Sequence, residues 1–100
     1  MNIKTVCKLY LKSEEGFCSY TNYEIYPLAS MFASSDDEAM ASYIKKITSL
    51  NIEVQECGIM EVSLAYGNKL RFYRVKRRNT TLERDIIGDY VVIDVPFIDS

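Results

Sequence analysis

The chain has 100 residues, 48% of them hydrophobic, 14 acidic and 12 basic, with no histidine and a formal charge of −2. That length is one domain, residues 1–100, and that apolar content is too high for a disordered chain. The lack of histidine excludes Ser–His and Cys–His nucleophilic pairs and the commonest metal ligand. An enzyme would need carboxylates, lysine or tyrosine arranged in a pocket, and neither an enzyme nor a cofactor is expected.

In chain order, Ile3 to Lys12 alternates, with Ile3, Thr5, Cys7, Leu9 and Leu11 on one side and Lys4, Lys8 and Lys12 on the other. That pattern predicts a half-buried strand. Ser13-Glu14-Glu15-Gly16 reads as a turn, and Phe17 to Tyr26, rich in Tyr, Thr and Phe, as a second strand that Pro27 ends. Tyr20, Tyr23 and Tyr26 are spaced three apart and so do not all share a face of that strand.

The clearest helix opens at Ser35. Ser35-Asp36-Asp37-Glu38 has capping-box spacing, and its acids suit the positive end of a helix dipole. Ala39, Met40, Tyr43, Ile44, Ile47 and Leu50 form an apolar stripe, Lys45 and Lys46 sit near the C-terminal end, and Asn51 can close the helix. Ile52 to Glu56 reads as a short strand or connection. Ile59 to Tyr66 and Lys69 to Lys76 read as strands joined at Gly67-Asn68, which suits a type II′ hairpin. Asn79 to Asp89 is polar, with a helical turn expected from Thr80 to Ile87, opened by Thr80 and Glu83 and ended by Gly88. Tyr90 to Ile98 is the final strand, and Pro96 places it at an edge or marks its end. The order β-β-α-β-β-β predicts an α+β fold of two layers, one main helix on a mostly antiparallel sheet of about five strands.

No run approaches the ~20 apolar residues of a membrane span. Met1 to Leu11 carries Lys4 and Lys8 within its apolar stretch, so no signal peptide is expected and Asn79-Thr80-Thr81 is not read as a glycosylation site. Cys7, Cys18 and Cys57 lack metal-ligand spacing, and a reducing, cytoplasmic location is expected. The glycines form neither GxGxxG nor GxxxxGK[ST].

Charge is segregated. Residues 13–68 carry −7 and residues 69–84 carry +6. Within Lys69-Leu70-Arg71-Phe72-Tyr73-Arg74-Val75-Lys76-Arg77-Arg78, six cations enclose two aromatics, the composition that grips phosphates and stacks bases. In an extended strand Lys69, Arg71, Tyr73, Val75 and Arg77 share a face, with Leu70 and Phe72 turned to the core. Lys69, Arg71, Tyr73, Arg74, Lys76, Arg77 and Arg78 are therefore the candidate nucleic-acid-binding residues, with Tyr73 as the exposed stacking ring. The plain alternative is a solvated strand whose cations pair with acids on its neighbours. Asp36, Asp37 and Glu38 are carboxylates of the kind that hold a divalent metal, but consecutive acids at a helix start point apart, and capping accounts for them.

From Phe32 to Gly67 the chain resembles the small nonstructural protein of gokushoviruses, the single-stranded DNA microviruses of bacteria. The resemblance rests on Ser35-Asp36-Asp37-Glu38-Ala39, Tyr43, Ile52-Glu53-Val54, Gly58-Ile59-Met60-Glu61 and Gly67; Gln55-Glu56-Cys57 departs from the family's aromatic and Leu residues. It implies a role in viral single-stranded DNA synthesis or its switch to packaging, in the host cytoplasm, and transfers no functional residue. The sequence thus points to a small viral or mobile-element protein that binds single-stranded nucleic acid, with a homodimer left open. The alternative is a phage anti-defence inhibitor that binds a host protein through an acidic surface, Asp36, Asp37, Glu53 and Glu56, imitating phosphates.

Overall fold

The computed structural model describes residues 2–13, 20–63, 67 and 69–94. Its elements are β1 (Asn2–Ser13), β2 (Tyr20–Ala33), α1 (Asp36–Thr48), β3 (Glu53–Ser63), β4 (Lys69–Asn79) and β5 (Arg84–Asp94). The strands form one open antiparallel sheet in the order β2-β1-β5-β4-β3, and α1 packs on one face of it. The expected α+β order is the observed one.

The helix begins where the sequence placed it. Ser35 is extended (φ −150°), and its Oγ accepts from the Glu38 backbone N–H at 3.1 Å. The Glu38 carboxylate departs from the box, reaching one residue further back to accept from the Ser34 N–H (3.3 Å) and hydroxyl. Asn51 closes the connection at φ 63°, a left-handed position that asparagine tolerates. Ala39 and Met40 are buried in one cluster with Val6, Ala33, Tyr73, Val75, Tyr90 and Val92 of the sheet, and Ile47 of the helix is buried as well.

Four boundaries differ from expectation. Pro27 does not end β2. This is an edge strand, where a missing N–H is tolerated, and the register slips there: Val6 pairs with Ala29 and Cys7 with Pro27, leaving Leu28 as the extra residue. Residues 53–63 form one strand rather than two, with Gln55 as a similar extra residue between Val54 and Glu56. The expected helical turn after Asn79 is a tight turn instead. The Asn79 Oδ1 accepts from the Leu82 N–H at 3.0 Å, Glu83 takes φ 51°, and β5 starts at Arg84 rather than Tyr90. Gly88, the expected helix terminator, lies within β5. Gly67 has φ 80°, which only glycine adopts freely. Asn68, Pro96, Cys18 and the turn at Glu14-Glu15-Gly16 lie outside the described residues.

The sheet has apolar clusters on both faces. Cys7, Leu9, Phe72 and Val91 are buried on the face away from the helix. The helix therefore covers the lysine side of β1, where Val6 is fully buried and Lys4 is only 7% exposed. The half-buried reading of β1 is corrected: this strand lies inside the sheet between β2 and β5. β1 pairs with β5 only from Lys4–Asp94 to Lys8–Tyr90. Beyond Lys8, β1 continues with β2 while β5 continues with β4, so the sheet divides into two arms.

Met40→Ala should cost about 2 to 5 kcal/mol, because a nearly inaccessible side chain leaves a cavity between helix and sheet. Ser35→Ala should cost about 0.5 to 2 kcal/mol through the lost cap. Denaturant unfolding measures both, and wild-type midpoints for the two variants would contradict this packing.

Candidate nucleic-acid interface

β4 presents its cations to both faces. Val75 and Tyr73 lie under the helix, so Lys69, Arg71 and Arg77 share that side, and Arg74, Lys76 and Arg78 share the other with Phe72 and Leu70. Four cations meet acids directly opposite them in the ladder. Arg71 Nε lies 3.2 Å from Glu61, Lys76 Nζ 4.0 Å from Glu56 and Arg78 Nη1 3.7 Å from Asp85. Arg74 grips Asp89 with two donors at 2.8 and 3.2 Å, and its guanidinium stands 5.6 Å from the Phe72 ring centroid. Among the described residues, Lys69 and Arg77 have no ion-pair partner.

Tyr73 does not offer an exposed ring. It is 9% exposed, and its hydroxyl donates to the Asp37 carboxylate at the start of α1. Burial first, and the Asp37 contact second, push its phenol well above the ordinary tyrosine range. The expectation of a stacking surface at Tyr73 is corrected. Alternation along β4 allowed either face to be buried, and here both are.

The exposed rings lie on the β1–β2 arm, where the sequence marks the tyrosine cluster that includes Tyr26 but does not single out Tyr10. Tyr10 and Tyr26 are 50% and 51% exposed and meet edge to face, with centroids 5.4 Å apart and planes at 85°. They stand on the helix side of the sheet, beyond the helix. Lys8 and Lys12 flank Tyr10 on the same face of β1. Lys12 Nζ reaches Glu24 at 2.9 Å, and the Tyr26 hydroxyl donates to the same carboxylate at 2.9 Å. Those contacts lower the proton affinity of Glu24 and raise those of Lys12 and Tyr26. Lys8 Nζ lies 4.8 Å from the Tyr90 ring centroid and 5.8 Å from that of Tyr10. Burial lowers its proton affinity, with Asp89 opposing and Arg77 adding to the effect. Where the arms part, a cleft of about 300 Å³ is lined by Lys8, Tyr10, Leu11, Arg74, Ile87 and Asp89. The signal was present in the sequence as Lys8-x-Tyr10-x-Lys12, a period of two that puts ring and cations on one face.

The acids of the helix start are engaged internally. Asp36 pairs with Lys4 at 3.0 Å, Asp37 accepts from Tyr73, and Glu38 serves Ser34. Among the described residues no three metal-capable side chains converge, and no helix is long and apolar enough to cross a membrane. No protein-family model, curated protein or solved structure matches this chain.

The Tyr73 phenol stays protonated in the folded chain at a pH where a free tyrosine, with a pKa of about 10, ionises. The folded state then holds more protons than the unfolded one, so this contribution is complete below about pH 10 and is lost as the pH rises further. Tyr73→Phe should cost about 0.5 to 1.5 kcal/mol at neutral pH. Its stability should also fall less steeply than that of wild type in alkali. Denaturant midpoints across that pH range measure this, and parallel curves would contradict the assignment.

Proposed function

We propose that this protein binds single-stranded nucleic acid, and that it does so across the uncovered helix-side face of the β1–β2 arm. The observation that carries the reading is the exposed Tyr10–Tyr26 pair, with Lys8 and Lys12 on either side of Tyr10. Exposed rings give bases a stacking surface whatever the sequence, and neighbouring cations neutralise the backbone. Arg77, on the same sheet face, extends the positive surface toward β4. The resemblance of Phe32 to Gly67 to a gokushovirus nonstructural protein points to the same ligand, and makes a viral origin part of the proposal.

The site differs from the one expected along β4. Arg74, Lys76 and Arg78 face the other way, each opposite an acid. The acidic-mimic alternative draws less support, because Asp36 and Asp37 are turned to contacts within the chain.

Fluorescence anisotropy of a labelled single-stranded oligonucleotide across a salt series tests the proposal. Affinity should fall by roughly 0.7 log unit per log unit of salt for each phosphate neutralised. Tyr10→Ala should lose about 1 to 3 kcal/mol of binding with the slope retained. Glu24→Gln should tighten binding, since it removes a negative charge and releases Lys12. No binding at low salt, in protein that is folded, refutes the reading.

A further inference from the structure

The helix covers one face of the sheet, and no described element packs on the other. At the centre of that second face Cys7, Leu9, Phe72 and Val91 are buried, ringed by the half-buried Leu11, Ile25, Met60 and Ile93. Farther out the apolar surface is open. Phe32, opposite Ile3, is 70% exposed, and Ile87, opposite Lys76, is 59% exposed. Tyr23, opposite Leu11, is exposed on the same face. A sheet with apolar residues on both faces loses least to water when both are covered.

The shape agrees with a missing layer. The molecule measures 45 × 40 × 21 Å. Its shortest dimension is that of one helix and one sheet, each about 10 Å thick. Its radius of gyration is 14.8 Å, against about 13 Å for a compact domain of this length.

Charge narrows the occupant. Arg74, Lys76 and Arg78 project from this face, opposite Asp89, Glu56 and Asp85. With Glu53, four acids meet three cations, and the described residues of β1 and β2 add no charge to the face. A polyanion or an anionic lipid surface is drawn by unmatched cations, and here each cation stands opposite an acid. A face whose charges cancel within it meets its own copy without like-charge repulsion. Its size suffices as well. Five strands about 4.8 Å apart and at least 11 residues long present on the order of 800 Å², which is what each partner contributes to a stable interface.

We propose that this face is the contact between two copies of the chain, stacked sheet on sheet about a twofold axis. Phe32 and Ile87 are the exposed apolar groups that each copy withdraws from water. The helix sides point outward, so the Tyr10–Tyr26 surface of each copy stays open, and the dimer stands whether or not nucleic acid binds.

Sedimentation velocity of the full chain from micromolar to millimolar concentration tests this, with a concentration-dependent shift from monomer to dimer expected. Phe32→Asp and Ile87→Asp should each raise the dissociation constant roughly tenfold or more, because each buries an unpaired charge at the contact. Both side chains are exposed in the isolated chain, so melts at low concentration should stay near wild type. Ile59→Asp, exposed on the helix side of β3, should leave the dimer intact. Isotope-filtered NMR between labelled and unlabelled wild-type copies should show contacts at Phe32 and Ile87, and it carries the test if neither aspartate variant folds. A chain that stays monomeric at millimolar concentration, with or without binding to lipid vesicles, overturns the proposal. So does a dimer that both aspartate variants leave intact, or one whose intermolecular contacts fall on the β2 or β3 edge.

Discussion

The cross-strand charge ladder on β4 fixes the register of half the sheet. Arg71, Arg74, Lys76 and Arg78 each stand opposite an acid, on β3 or on β5. Each pair is worth only about 0.2 to 1 kcal/mol, so the ladder is a minor term in stability. Its consequence for specificity is larger. A one-residue slip of β4 would turn every side chain to the opposite face and separate all four pairs together. It would also drive Phe72 and Tyr73, both buried, out of their clusters. Charge and packing select the same register, and so most of the conspicuous basic run is occupied within the sheet.

The helix is tied to that register at its first turn. Asp37 accepts from Tyr73 of β4, and Asp36 pairs with Lys4 of β1. These contacts span the inner strands from above and set where the helix lies. Because α1 is only 13 residues, it covers Val6, Val92, Tyr90 and Tyr73 but not the far part of β1 and β2. The uncovered face is where Tyr10 and Tyr26 remain exposed. The proposed binding surface thus follows from helix length and the anchoring of its N-terminus.

The sequence disclosed elements better than faces. The helix was legible because its cap and apolar stripe are local signals, and the α+β order because strand composition and turn residues are local too. Which side of β1 or β4 is buried was not legible. Val6 interrupts the lysine side and Tyr73 the cationic side, and a strand with an apolar cluster on each face carries no single alternation. Pro27 misled because a proline stops a central strand but not an edge strand, and edge position is a property of the whole sheet. The pairing of Arg74 with Asp89, or Lys76 with Glu56, joins residues far apart in the chain, so a run of cations looks free until the ladder is known. Conversely, Lys8-x-Tyr10-x-Lys12 was readable but looked unremarkable beside the denser run.

For a chain of net charge −2, binding a polyanion depends on local field rather than total charge. At physiological salt, exposed charges are screened over about 8 Å, so the acids of β3 at the far edge of the sheet weigh little at β1. What counts is which cations lack an acid within their own neighbourhood. By that criterion the dense run on β4 contributes less than its composition promises, since four of its cations are matched in the ladder. The sparser set around Lys8 contributes more, because its cations share a face with exposed rings. Each surface keeps cations without an ion-pair partner among the described residues, Lys69 and Arg77 on β4 and Lys8 on β1, and it is the exposed Tyr10–Tyr26 rings beside Lys8 that favour the second surface. A paired arginine must first give up its carboxylate before it can hold a phosphate.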